Sequence, residues 1–415
     1  MSRVDANGIL PSICYAPPVG PSRRKKFAFF SIALSGSIAL SLLILEIGSR
    51  WIEARRLTEP AGTRMVGLLV ENPRGTGSYR LQPNYQRVTR IGGREVRVST
   101  NRHGMPWRDV SVEKTDRRRR IAFVGDSFTF GCWADSYEKA FVGVFDRSVS
   151  PERFEVLNFG VGGYGLSDME LQIQEEVIGF SPTFVIAVVF TGNDFRDTLL
   201  GAHKEDLVDG TARLNVANLR ARVPEEYLGF DGTLSNACDR ESTVLRWLDE
   251  LSAFRLLSPV LGLENLCIDF AVNQNFRMYT FWSQYPYPEL AIEGKDAVLS
   301  TLERMDRDLE ARDVRLAIVA LPMMEQVYAR VPVAEDYDIE LPQAYLHLFA
   351  RERDIPYIDL LPVLRAHVER TNERLYLAGD THLNNRGHEL VGETLADWFR
   401  CCVKTRRPSE PVSSR

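Results

Sequence analysis

The chain has 415 residues, of which 44% are hydrophobic and 26% are charged, values that are typical of a globular domain. Its formal net charge of −5 gives no reason to expect nucleic-acid binding. Because the sequence lacks zinc-type Cys/His spacing, a P-loop and a G-x-G-x-x-G fingerprint, we expect neither a cofactor nor a metal.

The N-terminal segment has the features of a membrane anchor. Residues 1–26 are rich in Gly, Pro and Ser, end in the basic cluster 23–26, and are predicted to be a disordered cytoplasmic N-terminus. Nineteen residues without a charge, Phe27 to Leu45, follow, close to the ~20 that cross a bilayer. We predict a transmembrane helix over 27–47 rather than a signal peptide, because the leader is long and lacks an A-x-A cleavage site. The basic cluster places the rest of the chain outside the cytosol, in the periplasm if the organism is bacterial.

Residues 48–116 have a different character, with frequent Pro, Gly and Arg. Alternating apolar and polar residues over 95–100 predict a small β element. The segment is either a stalk that lifts the next domain off the membrane or a small module packed against it. The basic run 117–120 is predicted to be a solvated edge.

Strands and helices alternate over 117–403, ahead of a tail, 404–415, that is predicted to be disordered. Short runs of β-favouring apolar residues predict five strands, at 121–124, 154–158, 183–190, 315–321 and 356–360. A capping box at Ser167–Glu170 predicts the start of a helix that runs to Ile178, and Val391, Leu395 and Trp398 predict a closing helix. The alternation predicts an α/β fold with a doubly wound, mainly parallel, flavodoxin-like sheet of five strands.

The segment 195–294 is too long for an ordinary connection and is rich in aromatic residues. We predict a mostly helical cap insertion over the working edge of the sheet, in which many of the aromatic residues fill the cap's own core. Cys238 and Cys267 lie in this region. They are predicted either to pair, if the region lies outside the cytosol, or to be two buried thiols.

Four short polar or glycine-rich segments follow predicted strands or precede the last helix. They are 125–127, 158–165, 191–194 and 379–388. The carboxyl ends of parallel strands meet at one edge of a sheet, so these segments are expected to converge there. Taken alone, Gly-Asp-Ser at 125–127 is equally compatible with an ordinary tight turn.

The converging residues can perform acyl transfer, which needs a nucleophile, a base, an orienting acid and donors for the oxyanion. Ser127 can attack, His382 can take its proton, and Asp380 can orient His382. The glycine-rich segment 158–165 lets a backbone N–H approach an oxyanion, and Asn193 can add a side-chain N–H. Because no G-x-S-x-G elbow is present, the chain is not an ordinary α/β-hydrolase.

These blocks resemble the SGNH (GDSL-type) hydrolase superfamily over residues 121–194 and 314–400. The resemblance implies that Ser127 is the nucleophile and an oxyanion donor through its own N–H. It also implies that Gly163 and Asn193 are the other donors and that His382 is the base. Many members place the acid three residues before the histidine, where this chain has a glycine. Asp380 matches instead the Asp-Thr-His variant of polysaccharide-acetylation relatives. His388 is predicted to pack or cap at the start of the closing helix.

The sequence therefore predicts a membrane-anchored serine esterase or acyl hydrolase outside the cytosol, with a Ser127 acyl-enzyme. Its predicted substrate is an acylated carbohydrate, most simply an O-acetylated polysaccharide, with a lipid ester next. The alternatives are a polysaccharide O-acetyltransferase, and a non-catalytic subunit that binds or assembles polysaccharide. A cytosolic thioesterase conflicts with the predicted transmembrane helix. The acyl group, the acceptor and the oligomeric state stay open.

Overall fold

The computed structural model describes residues 67–73, 79–91, 94–149, 152–201, 205–208, 211–214, 289–328, 340–377 and 382–403, and twelve residues between 27 and 48. The predicted disordered ends, residues 215–288 of the predicted cap, Cys238, Cys267 and Asp380 lie outside these residues. Those of 27–48 that are described are helical. Among the residues that the structure describes, no helix is both long enough and apolar enough to cross a bilayer. The transmembrane helix over 27–47 stays a prediction.

The described residues between 67 and 110 form what we call the β module. It contains two antiparallel pairs of short strands, β1 (Leu69–Val70) with β2 (Arg80–Leu81) and β3 (Gln86–Ile91) with β4 (Arg94–Ser99). In β4 the apolar side chains of Val96 and Val98 are buried and alternate with exposed polar ones, as the sequence pattern predicts.

The β module packs directly against the rest of the protein. Its side chains share one hydrophobic cluster with residues that follow the first two strands of the large sheet, and the cluster comprises Leu68, Tyr79, Leu81, Val96, Val98, Phe130, Val161 and Tyr164. Of the two interpretations of this region, a stalk or a packed module, the described residues are a packed module.

The large sheet has five parallel strands. In chain order they are β5 (Arg119–Val124), β6 (Phe154–Asn158), β7 (Phe184–Phe190), β10 (Arg315–Leu321) and β11 (Tyr357–Asp359). The spatial order β11-β10-β7-β5-β6 is the flavodoxin-like order and confirms the predicted α/β sheet. All seven residues of β7 are buried, because helices cover both faces of the sheet. An antiparallel hairpin, β8 (Glu205–Val208) and β9 (Thr211–Leu214), lies in the segment that is predicted to form the cap.

Nine helices are named here for the described part of the chain. They are α1 (Ser127–Phe130), α2 (Phe141–Ser148), α3 (Leu166–Glu175), α4 (Asp194–Leu200), α5 (Glu289–Glu310), α6 (Met324–Tyr328), α7 (Leu341–Glu352), α8 (Leu361–Thr371) and α9 (Asn385–Trp398). The closing helix α9 packs closely on α2, since a Cβ at Gly392 would lie 2.5 Å from the Cβ of Val144. After α9, the adjacent residues Cys401 and Cys402 form a disulfide bond.

The start of α3 differs from the predicted capping box. The helix begins at Leu166, and the Asp168 carboxylate accepts a hydrogen bond of 3.0 Å from the N–H of Gly165. Ser167 Oγ instead donates to the carbonyl of Thr198 at 3.2 Å. Tertiary packing on α4 therefore moves the cap two residues towards the N-terminus.

Arg120 also differs from the prediction of a solvated edge. Its side chain is 2% exposed. Its Nε donates to Glu155 at 2.8 Å, and Nη1 donates to the carbonyls of Val112 and Phe180 at 2.8 and 2.6 Å. Strand β5 begins at Arg119, so alternation turns the next side chain inward, where an acid and carbonyls satisfy the guanidinium. Arg120 thereby ties the segment before the sheet to the sheet itself.

Candidate active site

Ser127 is the first residue of α1, directly after β5. The preceding residue, Asp126, caps the helix by accepting a hydrogen bond of 2.9 Å from the N–H of Phe128. A glycine is required at position 125, because a Cβ there would lie 2.1 Å from Thr129 Oγ1. The strand, the tight turn and the short helix together place Ser127 at the carboxyl edge of the sheet.

His382 reaches Ser127 from the far end of the chain. Its Nε2 lies 2.8 Å from Ser127 Oγ, a contact between residues 255 positions apart. The segment that carries His382 is held by an isolated bridge between Tyr376 and Leu383. The imidazole lies over the ring of Phe128, with 4.8 Å between the ring centroids. With a proton on Nδ1, the imidazole can accept the serine proton at Nε2.

Asp126 adds a buried carboxyl group beneath this pair. Burial raises its pKa to about 6, against the lowering effects of the Phe128 N–H and of nearby His382. The carboxylate of Asp197 also raises this pKa by repulsion. The site therefore holds negative charge close to the imidazole once Asp126 ionises.

The segment 158–165, which we call the glycine loop, lies against Ser127. Asn158 is fully buried and organises the loop: its Oδ1 accepts from the Gly160 N–H and its Nδ2 donates to the Thr129 carbonyl, both at 2.8 Å. A Cβ on Gly162 would lie 3.7 Å from Ser127 Cβ, so the loop passes directly beside the serine. Gly163 has a φ of +82°, a left-handed conformation that favours glycine.

Asn193 lies at the N-cap position of α4, after β7. Its Nδ2 donates to Asp197 Oδ2 at 2.8 Å, and its Oδ1 is buried without a hydrogen-bond partner among the described residues. Asp197 is buried and forms an ion pair of 2.8 Å with Arg196. Its negative charge raises the pKa of Asp126. The Asn193 amide is therefore anchored to a buried carboxylate that interacts electrostatically with Asp126, the residue before Ser127.

Of the five sequence-predicted site residues, Ser127 and His382 are in direct contact, Gly163 lies in the loop beside them, and Asn193 is anchored to their buried support. Asp380 lies outside the described residues. In the part of the chain that the structure describes, no group of three or more His, Cys, Asp or Glu side chains is arranged to hold a metal ion.

His388 has a structural environment, in agreement with the packing role that the sequence predicts. Its ring is fully buried and stacks on Phe141, and its Nδ1 accepts from the Phe141 N–H at 3.3 Å. Burial lowers its pKa to about 3, so the imidazole is neutral at physiological pH.

Two aromatic residues near the site are absent from the sequence prediction. Trp133 lies with its ring centroid 6.3 Å from that of His382 and has a left-handed φ of +65°, which is unusual for a bulky residue. Its closeness in sequence to Ser127 could have indicated it. Tyr79 lies in the β module and contacts the glycine loop, a contact that no local pattern signals.

Residues 123–390 match the profile of the GDSL-like lipase/acylhydrolase family. No curated protein sequence matches the chain significantly.

Solved structures with a similar fold include an acetyl xylan esterase, at 14% identity and a TM-score of 0.37, covering 68% of this chain and 99% of that one. A member of the lipolytic protein G-D-S-L family from Veillonella parvula DSM 2008 has 14% identity and a TM-score of 0.34, with coverages of 68% and 99%. A two-domain esterase active on acetylated mannans has 12% identity and a TM-score of 0.34, with coverages of 71% and 52%. The profile match spans more than half of the sequence, from the end of β5 into α9, and so the chain belongs to the GDSL-like lipase/acylhydrolase family and is a carboxylic-ester hydrolase.

Proposed function

We propose that this enzyme removes O-acetyl groups from a carbohydrate through an acyl-enzyme on Ser127. The observation that carries the proposal is the 2.8 Å hydrogen bond between Ser127 Oγ and His382 Nε2. A serine hydroxyl is a weak nucleophile until a base within hydrogen-bond reach accepts its proton. His382 supplies that base without rearrangement.

The reaction then proceeds in two balanced steps. Ser127 Oγ attacks the ester carbonyl while His382 Nε2 takes its proton, and a tetrahedral oxyanion forms. The bond to the sugar oxygen breaks, His382 returns the proton to that oxygen, and the acetyl group stays on Ser127. A water molecule gives a proton to His382, attacks the acyl-enzyme and releases acetate, and the proton returns to Ser127.

Three donors are proposed to stabilise the oxyanion: the backbone N–H groups of Ser127 and Gly163 and the Nδ2 group of Asn193. The closeness of Gly162 to Ser127 supports the loop donor, since it brings the next peptide group to the reacting atoms. The bond from Asn193 to Asp197 uses one N–H of its amide and leaves the second for the oxyanion.

Asp380 is proposed as the acid that orients His382, which makes the catalytic set a Ser-His-Asp triad. Its position two residues before the histidine supports the proposal. Replacing Asp380 with Asn should lower kcat less than replacing His382 with Ala, because part of the catalysis survives loss of the orienting group. Equal activity of Asp380→Asn and the wild type would assign the acid to another residue.

Trp133 supports a carbohydrate substrate. Its ring is partly exposed beside His382, and flat aromatic faces pack on the C–H faces of sugar rings. A left-handed φ in a tryptophan costs free energy and persists only where the surroundings require it, most often at functional sites.

We also propose that residues 27–47 tether the enzyme to a membrane, with the catalytic domain outside the cytosol. Large apolar side chains of this segment, among them Phe27 and Leu34 at 76% and 63% exposure, are uncovered in the chain by itself, and lipid would cover them. Protease added to cells without an outer membrane, or to spheroplasts, should degrade the catalytic domain, and its protection there would contradict this orientation.

The proposed reaction is tested with Ser127→Ala, with Ser300→Ala on the exposed surface of α5 as the matched control. Acetate release from acetylated xylo-oligosaccharides and turnover of p-nitrophenyl acetate should fall by about 10⁴-fold or more in Ser127→Ala. Ser300→Ala should behave as the wild type. A folded Ser127→Ala variant that retains turnover would disprove the nucleophile.

Labelling with a fluorophosphonate separates the hydrolase from a non-catalytic binding subunit, because only an activated serine reacts. Adding an unacetylated sugar acceptor separates hydrolysis from transfer. Acetate should remain the main product, whereas acetylation of the acceptor in preference to water would assign the protein as a transferase.

A further inference from the structure

Tyr79 of the β module touches the glycine loop at one defined atom. Its side chain is 1% exposed, and its Oη donates a hydrogen bond of 2.8 Å to the carbonyl oxygen of Gly162. The two residues are 83 positions apart in the sequence, and Tyr79 lies before the matched region 123–390.

A second hydrogen bond fixes Tyr79 itself. The Oη of Tyr164, at the end of the glycine loop, donates to the Tyr79 carbonyl at 2.6 Å. The two rings lie 5.7 Å apart, and both pack in the cluster that contains Val96, Val98 and Val161. Tyr79 is therefore held by the loop that it contacts, and its hydroxyl has little freedom to turn away.

The Gly162 carbonyl shares one peptide group with the N–H of Gly163. A peptide group is planar and trans, so its carbonyl and its N–H point in opposite directions. This peptide is flanked by two glycines, and without Cβ atoms little steric resistance opposes its rotation. The hydrogen bond from Tyr79 opposes this rotation, because a flipped peptide would break the bond between the buried Tyr79 hydroxyl and the Gly162 carbonyl.

We propose that Tyr79 is a positioning residue that locks the Gly162–Gly163 peptide and so aims the Gly163 N–H at the oxyanion. This inference rests on the proposed role of Gly163 as a donor. It makes the β module a functional part of the catalytic site, although Tyr79 touches neither Ser127 nor the reacting ester.

The test is Tyr79→Phe, which removes the hydroxyl and keeps the ring. Tyr357→Phe is the matched control, since Tyr357 Oη also donates to a backbone carbonyl, that of Gln343, at 3.1 Å, but lies on the edge strand β11. With p-nitrophenyl acetate, kcat of Tyr79→Phe should fall by about 10- to 100-fold, less than the loss of a whole oxyanion donor. KM should stay within about twofold of the wild type, because the peptide acts on the transition state.

A purely structural role would lower the fraction of active enzyme, so kcat is expressed per site titrated with a fluorophosphonate. A boronic acid inhibitor adds a second readout, since its tetrahedral adduct on Ser127 occupies the oxyanion site. In Tyr79→Phe its inhibition constant should rise by the same factor by which kcat/KM falls. Tyr164→Phe, which removes the hydrogen bond to the Tyr79 carbonyl, should show a smaller effect in the same direction.

An active wild type with a per-site kcat unchanged in Tyr79→Phe would overturn this inference alone. Loss confined to the titrated fraction would overturn it as well. Turnover retained by Ser127→Ala would instead overturn the proposed function.

Discussion

Four of the five parallel strands of the sheet are almost wholly buried between helices, whereas the β module has two antiparallel strand pairs and its strand β4 buries only one side. The sheet holds the active site through the backbone: Ser127, the glycine loop and Asn193 each follow the end of a strand. The β module reaches the same site through side chains, with Tyr79 on the glycine loop. The sheet therefore sets where Ser127, the glycine loop and Asn193 lie, and the proposed role of Tyr79 would make the module orient one peptide group among them.

A second side-chain link joins the module to the segment of His382. Asp135 accepts from Arg94 of β4 at 2.7 Å and from Asn385 at the start of α9 at 2.5 Å, while its own carbonyl accepts from the Arg97 N–H at 2.9 Å. Asn385 lies three residues after His382. The module thus contacts the glycine loop directly and is linked through Asp135 to the segment of His382, which is not expected of a spacer.

Among substitutions that compare the sheet with the module, the largest effect is expected on the sheet side, at Gly160. A Cβ there would lie 2.2 Å from the Phe130 backbone nitrogen and 2.4 Å from the Thr129 carbonyl carbon, and neither backbone atom can move cheaply. Gly160→Ala should displace the glycine loop and lower kcat by at least about 100-fold, the size of a lost oxyanion donor. Gly179→Ala, where a Cβ meets nothing within 4 Å, is the control and should retain full activity. Steady-state kinetics measure this change. A folded Gly160→Ala variant with the kcat of the wild type would contradict the importance of backbone packing.

A smaller effect, with a defined pH dependence, is expected at Asp126. Its pKa of about 6 lies above the ordinary value of 3.8, so the folded state binds more protons between these values and stability falls as pH rises through this window. Asp126→Asn keeps an oxygen for the Phe128 N–H but cannot ionise. It should be more stable than the wild type by up to about 3 kcal/mol at pH 8, and similar to it at pH 3. Its kcat should fall, because a charge that stabilises the imidazolium of His382 is lost.

Urea unfolding of both proteins at the two pH values measures this difference. A stability gain that is the same at pH 3 and pH 8 would contradict the assignment to ionisation of Asp126.

The smallest effect is expected at the Arg94–Asp135 ion pair of the module. Both side chains are about one-third exposed, and such pairs contribute about 1 kcal/mol or less. Arg94→Ala should lower the free energy of unfolding by that amount and change kcat by less than about threefold, since Asn385 still holds Asp135. Arg353→Ala, which removes a similarly exposed pair with Glu303, is the control for stability. A much larger loss of kcat in Arg94→Ala would place the orienting function of the module at His382 rather than at the glycine loop.

Much of this molecule follows from local patterns. Buried parallel strands are short apolar runs, so all five core strands could be predicted to within about two residues of their bounds. Ser127 and His382 could be predicted because they lie in blocks that match a family, and the structure places them 2.8 Å apart. The prediction that Arg120 is solvated is wrong, and so is the predicted start of α3. The ion pair of Arg120 with Glu155 and the contact of Ser167 with Thr198 depend on chain segments far away in the sequence.

The sequence by itself determined the order of strands and helices along the chain and the family, because these depend on residue types at short spacing. Only the tertiary structure decided that residues 67–110 are packed on the site and that Tyr79 holds the Gly162 carbonyl. A hydrogen bond between residues 83 positions apart has no periodicity and no motif. It exists because the folded sheet and the hydrophobic cluster bring a tyrosine hydroxyl and a glycine carbonyl to within 2.8 Å of each other.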